Sequence, residues 1–168
     1  YAWAAAQLAH TTADNSFLDA FAASGYQFNG QDDDHGGIHA AMAYAMLPDG
    51  FGDSDLRQSM RENIQNMADH WASKGDTFAY PLFRHPWAPT TWGTGAYPVQ
   101  IEPAFMAYGL DPSPENLQYL HRSIDLTLGS NPLNLSWITG LGDNPIVGVM
   151  HLYGWNTYQG LMPPGLQS

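Results

Sequence analysis

The sequence predicts an all-α protein, and three observations carry that reading. Apolar residues recur at helical steps of three and four in six segments. Those segments fall into three hairpin-like pairs, and the long stretches without periodicity lie between or after them. The clearest segment aligns Leu56, Met60, Ile64, Met67 and Trp71 in a single apolar stripe. Arg57, Arg61, Glu62 and Asp69 occupy its other faces, so the stripe, methionines included, reads as core packing.

The first helix, over residues 2–10, is alanine-rich, with Trp3, Ala6 and His10 at helical spacing. Thr11, Thr12, Ala13 and Asp14 read as a polar break. Residues 16–23 resume with Phe17, Leu18 and Phe21 and close at Gly25, completing an αα-hairpin. Residues 26–37 then gather Asn29, Gly30, Asp32, Asp33, Asp34, His35, Gly36 and Gly37. Carboxylates clustered beside glycines supply the oxygens and flexible backbone that a hard cation needs, so Asp32, Asp33 and Asp34 are candidate calcium ligands. Their spacing is not that of an EF-hand. A solvated acidic loop whose last aspartate caps the next helix explains the cluster as well. A third reading puts His35 and an aspartate at the rim of a substrate cleft.

The third helix, residues 37–47, carries Ile38, Ala41, Met42 and Ala45, and Pro48-Asp49-Gly50 stops it. Asp53 or Ser54 caps the fourth, which Lys74 and Gly75 end with the expected cation and glycine. Residues 73–98 form a long irregular segment holding Tyr80, Phe83, Arg84, His85, Pro86, Trp87, Trp92 and Tyr97. Loops of this length inside compact domains are uncommon and often functional. Rings on irregular backbone suit stacking on flat sugar faces, although Trp87 and Trp92 read equally well as plugs between helices. The fifth helical segment, residues 97–109, must start or kink at Pro103. Ser113-Pro114 opens the sixth as cap and first-turn proline, with Leu117, Leu120, Ile124 and Leu128 as its buried stripe. His121 reads as an exposed helix residue.

Gly129 closes that helix, and Asn131-Pro132 blocks a restart, because the proline excludes Asn131 from the helical region and has no N–H. Residues 136–139, with Trp137 among them, read as a short extended piece, and Gly140 and Gly142 as turn positions. Residues 143–168 have no periodicity and carry Met150, His151, Leu152, Tyr153, Trp155 and Tyr158.

Five basic against sixteen acidic residues leave a net charge of −11. Phosphate backbones and anionic membranes are therefore disfavoured as partners, whereas a neutral glycan is compatible. The absence of cysteine removes disulfides, zinc–thiolate sites and cysteine nucleophiles. No apolar run approaches the ~20 residues of a membrane span. A chain that opens inside a helical pattern at Tyr1 reads as processed or truncated.

The stretch LGSNPLNLSWITGLG at 128–142 resembles the LGxNPLxxSYVTGxG signature of glycoside hydrolase family 9, the inverting cellulase and glucosidase family. AWAAAQLAHTTADNSFLDAF resembles a helical hairpin of the same family, and Trp92-Gly93 matches its WGSN region. The resemblance implies an (α/α)6 barrel of inner and outer helix pairs, of which six helices are about half. It implies a β-linked polysaccharide or oligosaccharide as substrate, no required cofactor, calcium at most, and a secreted protein. His85, Trp87, Trp92, Trp137, His151, Tyr153 and Trp155 become candidate substrate contacts. His151 falls on the second histidine of the family's PHHR element, with Met150 and Leu152 in place of the first histidine and the arginine. An apolar leucine cannot supply the arginine's charge-assisted donors, which points to a divergent subsite.

Inverting hydrolysis needs an acid and a base about 6.5–9.5 Å apart. The family's DAGD base motif is not in this sequence, and Glu62, Glu102 and Glu115 stand in no family-like acid context. The catalytic carboxyls are unassigned. A partial ring would bare an apolar flank that the rest of the catalytic domain, or a complementary chain, must cover. Two other readings stay open: a non-catalytic carbohydrate-binding half barrel, and another toroid enzyme such as a polysaccharide lyase using His85, His151 and Tyr153.

Overall fold

A computed structural model describes residues 1–28, 30, 35–80 and 101–146 of the chain. It is helical, as expected. The elements are α1 (Ala2–Thr12), α2 (Asn15–Ala23), α3 (His35–Ala45), α4 (Ser54–Gly75), α5 (Glu102–Leu110) and α6 (Pro114–Thr127). Among the described residues the only β feature with both sides placed is an isolated parallel bridge between Ser136 and Pro145. No helix among them is long and apolar enough to cross a membrane. Two compact units divide the chain: Tyr1–Trp71 with Glu102–Leu117, and Ala72–Ile101 with Gln118–Ser168.

In the first unit, α1 buries Ala5, Ala6 and Ala9 against α2 and α3. Methyl-sized side chains at this seam let the helices approach closely. α1 runs two residues past its expected end, into the polar break, because the hydroxyls of Thr11 and Thr12 fold back onto the carbonyls of Gln7 and Leu8, at 2.8 Å each. The break is Ala13, which takes the left-handed conformation (φ 56°) and donates its N–H to the Ala9 carbonyl. Asp14 then caps α2 by accepting from the Ser16 N–H at 2.9 Å. The hydrogen bonds from Ser16 hold the Asp14 carboxyl below the usual carboxylate range. Phe21 of α2 is buried between the rings of Tyr26 and Tyr44.

α3 is apolar around most of its circumference, and Ile38, Ala40, Ala41, Ala43, Tyr44 and Ala45 are all buried. Its last carbonyl and two in the turn that follows it accept from α4. Arg57 donates through Nη1 to the carbonyls of Leu47 (3.1 Å) and Pro48 (2.6 Å), and Arg61 Nε donates to that of Ala45 (3.0 Å). These arginines, which the sequence places on the faces away from the apolar stripe, tie α4 to α3 and the turn after it. Asn63 makes a third tie by donating Nδ2 to the Phe28 carbonyl. Gly30 presses so closely on this point that a Cβ there would stand 2.4 Å from the Asn63 carbonyl oxygen.

The stripe of α4 is core as expected, with Met60, Ile64, Met67 and Trp71 buried and Leu56 half-buried. Asp53 rather than Ser54 is the cap: its Oδ1 accepts from the N–H groups of Asp55 and Leu56, both at 2.9 Å. α5 begins at Glu102, so Pro103 lies in the first turn, where its missing N–H breaks no helical bond.

α6 departs from expectation. Its buried face carries Asn116, Tyr119, Leu120, Ser123, Leu126 and Thr127, while Leu117 and Ile124 are half-buried and Leu128 is 43% exposed. The face is rotated and more polar than the apolar spacing indicates. Its polar members are satisfied inside: Ser123 donates its hydroxyl to the Tyr119 carbonyl, and Thr127 to that of Ile124. Burial pushes the Tyr119 phenol above its ordinary pKa, with Arg122 opposing. Asn116 and Gln65 exchange amide hydrogen bonds at 3.0 Å in both directions.

Two expectations follow. Asp53→Ala leaves the first N–H groups of α4 without a side-chain acceptor and should cost about 1 kcal/mol in urea unfolding. Asp14 has a lowered folded-state pKa, so its contribution is complete above the unfolded value and disappears as pH falls through the folded one. The stability difference between the native protein and Asp14→Ala should therefore shrink below about pH 4.

Candidate functional site

The stretch that follows α6 is built around one amide. Gly129, with φ at +126°, ends the helix, and the Ser130 N–H reaches back to the Asp125 carbonyl at 2.9 Å. Asn131 then turns inward and is 3% exposed. Its Nδ2 donates to the carbonyls of Leu126 and Leu135, both at 2.8 Å. Its Oδ1 accepts from the N–H groups of Leu133 (3.1 Å) and Leu135 (3.4 Å). Two donors and two lone pairs are the whole capacity of a primary amide, and all four are used.

Beyond this knot the chain is held from two more sides. Asn134 takes a left-handed φ of 48° and accepts from Asn144 Nδ2 at 2.9 Å. Ser136 pairs with residues 144–146, donating to the Asn144 carbonyl and accepting from the Ile146 N–H, at 2.9 Å each. Gly140 and Gly142, with φ of 70° and 81°, make the expected turns between the bridged partners.

Trp137 sits at the centre of this arrangement. Its backbone N–H donates to the Thr127 carbonyl at 2.8 Å, which fixes its Cα against the last turn of α6. The residue is half-buried, and among the described residues its indole N–H has no hydrogen-bond partner. The exposed side chains of Leu133 and Leu141 belong to the same stretch. An aromatic ring with a fixed base, an accessible portion and an uncommitted donor suits a polyhydroxylated ligand that offers both C–H faces and oxygens.

The first unit contains a second constellation, which sequence reasoning missed. Trp3 stacks on His39 with ring centroids 4.6 Å apart and planes 19° apart, and His39 Nε2 lies 3.8 Å from Glu102 Oε2. The three residues come from near the starts of α1, α3 and α5, and no local motif announces their meeting. A polar groove of about 290 Å³ also runs along α4, lined by Gln58, Arg61, Glu62, Gln65, Ala107, Leu110 and Asp111. Its amides are engaged with neighbours, Gln58 with Glu62 and Gln65 with Asp69, so it reads as a packing seam.

Of the candidate substrate contacts, Trp137 is placed by the structure. His85, Trp87, Trp92, His151, Tyr153 and Trp155 lie outside the described residues, as do Asp32, Asp33 and Asp34. Among the described residues no group of three or more His, Asp or Glu is arranged to hold a metal ion. Glu62, Glu102 and Glu115 are exposed.

The family model for glycosyl hydrolase family 9 matches residues 1–159. The chain belongs to glycosyl hydrolase family 9. Its fold agrees with solved structures of that family. A metagenome-derived glycoside hydrolase family 9 endoglucanase superposes with a TM-score of 0.75 at 23% identity, covering 99% of this chain and 30% of that one. The family 9 endoglucanase J30 gives 0.72 at 20% identity, over 86% of this chain and 27% of that one. AaCel9A in complex with cellobiose-like isofagomine gives 0.66 at 20% identity, over 87% and 28%. Comparison with curated protein sequences returns no match. The family 9 chain thus spans less than a third of the length of the solved structures it matches. Membership of this family also decides against the polysaccharide-lyase reading.

The Asn131 knot carries a direct check. Asn131→Ala strands one buried and one part-buried carbonyl and two N–H groups and should lower stability by about 2–3 kcal/mol, measured by chemical unfolding.

Proposed function

We propose that this family 9 chain is part of a glycoside hydrolase that cleaves β-glucan, cellulose-like or a related oligosaccharide, by inverting acid/base hydrolysis. In this reading its loops supply walls of the substrate cleft. The observation that carries it is Trp137, half-buried and held through its backbone N–H while its indole N–H has no hydrogen-bond partner among the described residues, inside the stretch that resembles the family signature. The relatives support the substrate class: two are endoglucanases, and AaCel9A was solved in complex with cellobiose-like isofagomine.

Inversion requires one carboxyl to protonate the leaving oxygen and a second to activate water on the opposite face of the sugar. We assign neither carboxyl to this chain. Its own contribution is stacking and hydrogen bonding: Trp137, together with His85, Trp87, Trp92, His151, Tyr153 and Trp155, holds successive glucose units. The −11 charge leaves a neutral glycan unopposed. The remainder of the catalytic domain, or a complementary chain, completes the cleft, and the protein acts outside the cell. The reaction needs no cofactor, and calcium at Asp32, Asp33 and Asp34 would serve the fold of that loop.

Incubation of the intact protein with cellohexaose tests the reading, with the anomer of the first product followed by proton NMR. Release of α-anomeric product from the β-linkage is expected. Tight binding without release would favour the non-catalytic module, and β-anomeric product would overturn inversion. Trp137→Ala should weaken cellotetraose binding about tenfold in calorimetry, while Trp137→Phe retains most of it.

A further inference from the structure

We propose that Asn131 is the positioning residue for Trp137, setting where the indole meets the glycan without touching the glycan itself. The proposal rests on the reading of Trp137 as a sugar contact. Direct contact by Asn131 is ruled out by its own geometry. The side chain is 3% exposed, and its two donors and two acceptor positions are already filled by Leu126, Leu133 and Leu135. No part of the amide is left to meet a sugar.

What the amide does instead is close a short circuit of chain. One donor holds the end of α6 at the Leu126 carbonyl, and the other holds the Leu135 carbonyl, two residues before Trp137. The oxygen holds the Leu135 N–H as well, so both backbone groups of Leu135 terminate on one side chain. Trp137 then binds the Thr127 carbonyl, one residue beyond Leu126 on the same helix turn. The indole therefore hangs from two ties, four bonds through Asn131 and one of its own, and both converge on the last turn of α6.

Residue type is constrained accordingly. Aspartate matches the shape and keeps the acceptor, but as a carboxylate it has no donor and would face two carbonyl oxygens. Leucine fills the volume and bonds with nothing. Only a primary amide of this length both donates twice and accepts twice. Pro132 cooperates, since a residue before proline is biased away from the helical region and so cannot extend α6.

The test is a double-mutant cycle in the intact protein, read as the dissociation constant of cellotetraose by calorimetry, with near-ultraviolet circular dichroism confirming that each variant is folded. Asn131→Asp should weaken binding about five- to tenfold in the native background and change it little in a Trp137→Ala background, because its effect passes through the indole. Full additivity of the two losses, or native affinity in folded Asn131→Asp, would overturn the proposal and leave the reading of Trp137 standing. Native affinity in Trp137→Ala would remove that reading and this proposal with it. Should Asn131→Asp fail to fold, Asn131→Ser, which keeps one donor and no charge, takes its place in the same cycle.

Discussion

Every α-helix ends with carbonyls that its own turns cannot satisfy, and the way this chain satisfies them governs the rest of the structure. At α1 the solution is backbone: Ala13 turns left-handed and bonds Ala9. At α4 it is a local hydroxyl, Thr77 on Lys74. At α3 and α6 it is a side chain that also does something else. Arg61 reaches from α4 to the last carbonyl of α3 and Arg57 to the turn just beyond it, so the cap of one helix is the clamp between two. Asn131 reaches from the loop to the end of α6, so the cap of that helix is the frame of the loop. Charged or amide donors at helix-end carbonyls are strong and directional, which makes each of these ends a point of precision rather than of fraying.

That precision matters because the helices themselves are plain. α1 and α3 bury mainly alanines, which pack closely but specify register weakly. Trp71, Phe21 and Tyr44 supply bulk, and the polar ties at Asn63 and at the Gln65–Asn116 amide pair supply uniqueness. A buried polar group that is fully paired tolerates few alternative arrangements, because any shift leaves it unsatisfied. The polar character of α6's buried face has the same consequence: Ser123 and Thr127 bond the helix backbone and let neighbouring chain approach it.

The signature stretch joins these themes to function. In the proposed reading Trp137 is a ring against which a sugar lies, and a loop of ordinary flexibility would lose affinity to disorder. Here the loop is wound on one amide, bridged from Ser136 to Pro145 and turned by two glycines, and Trp137 emerges from it with its backbone N–H tied to the end of α6. Rigidity in the backbone and availability in the side chain are what a stacking platform needs.

The sequence by itself determined the helical class, the positions of the six helices and the nature of the stretch after α6. Those features rest on local physics: apolar periodicity, Asp and Ser caps, prolines in first turns, and glycine at the helix end. It also carried the family, because the signature residues are contiguous. Only the tertiary structure decided the roles of Arg57, Arg61, Asn63 and Asn131, the rotated face of α6, and the meeting of Trp3, His39 and Glu102. Gln65 and Asn116 are 51 positions apart and Asn63 and Phe28 are 35 apart, so no local pattern encodes either pair. Trp137 was legible as an aromatic in a glycine-spaced stretch. The amide that holds it was not, because Asn131 before a proline looks like punctuation until its side chain is seen to face inward.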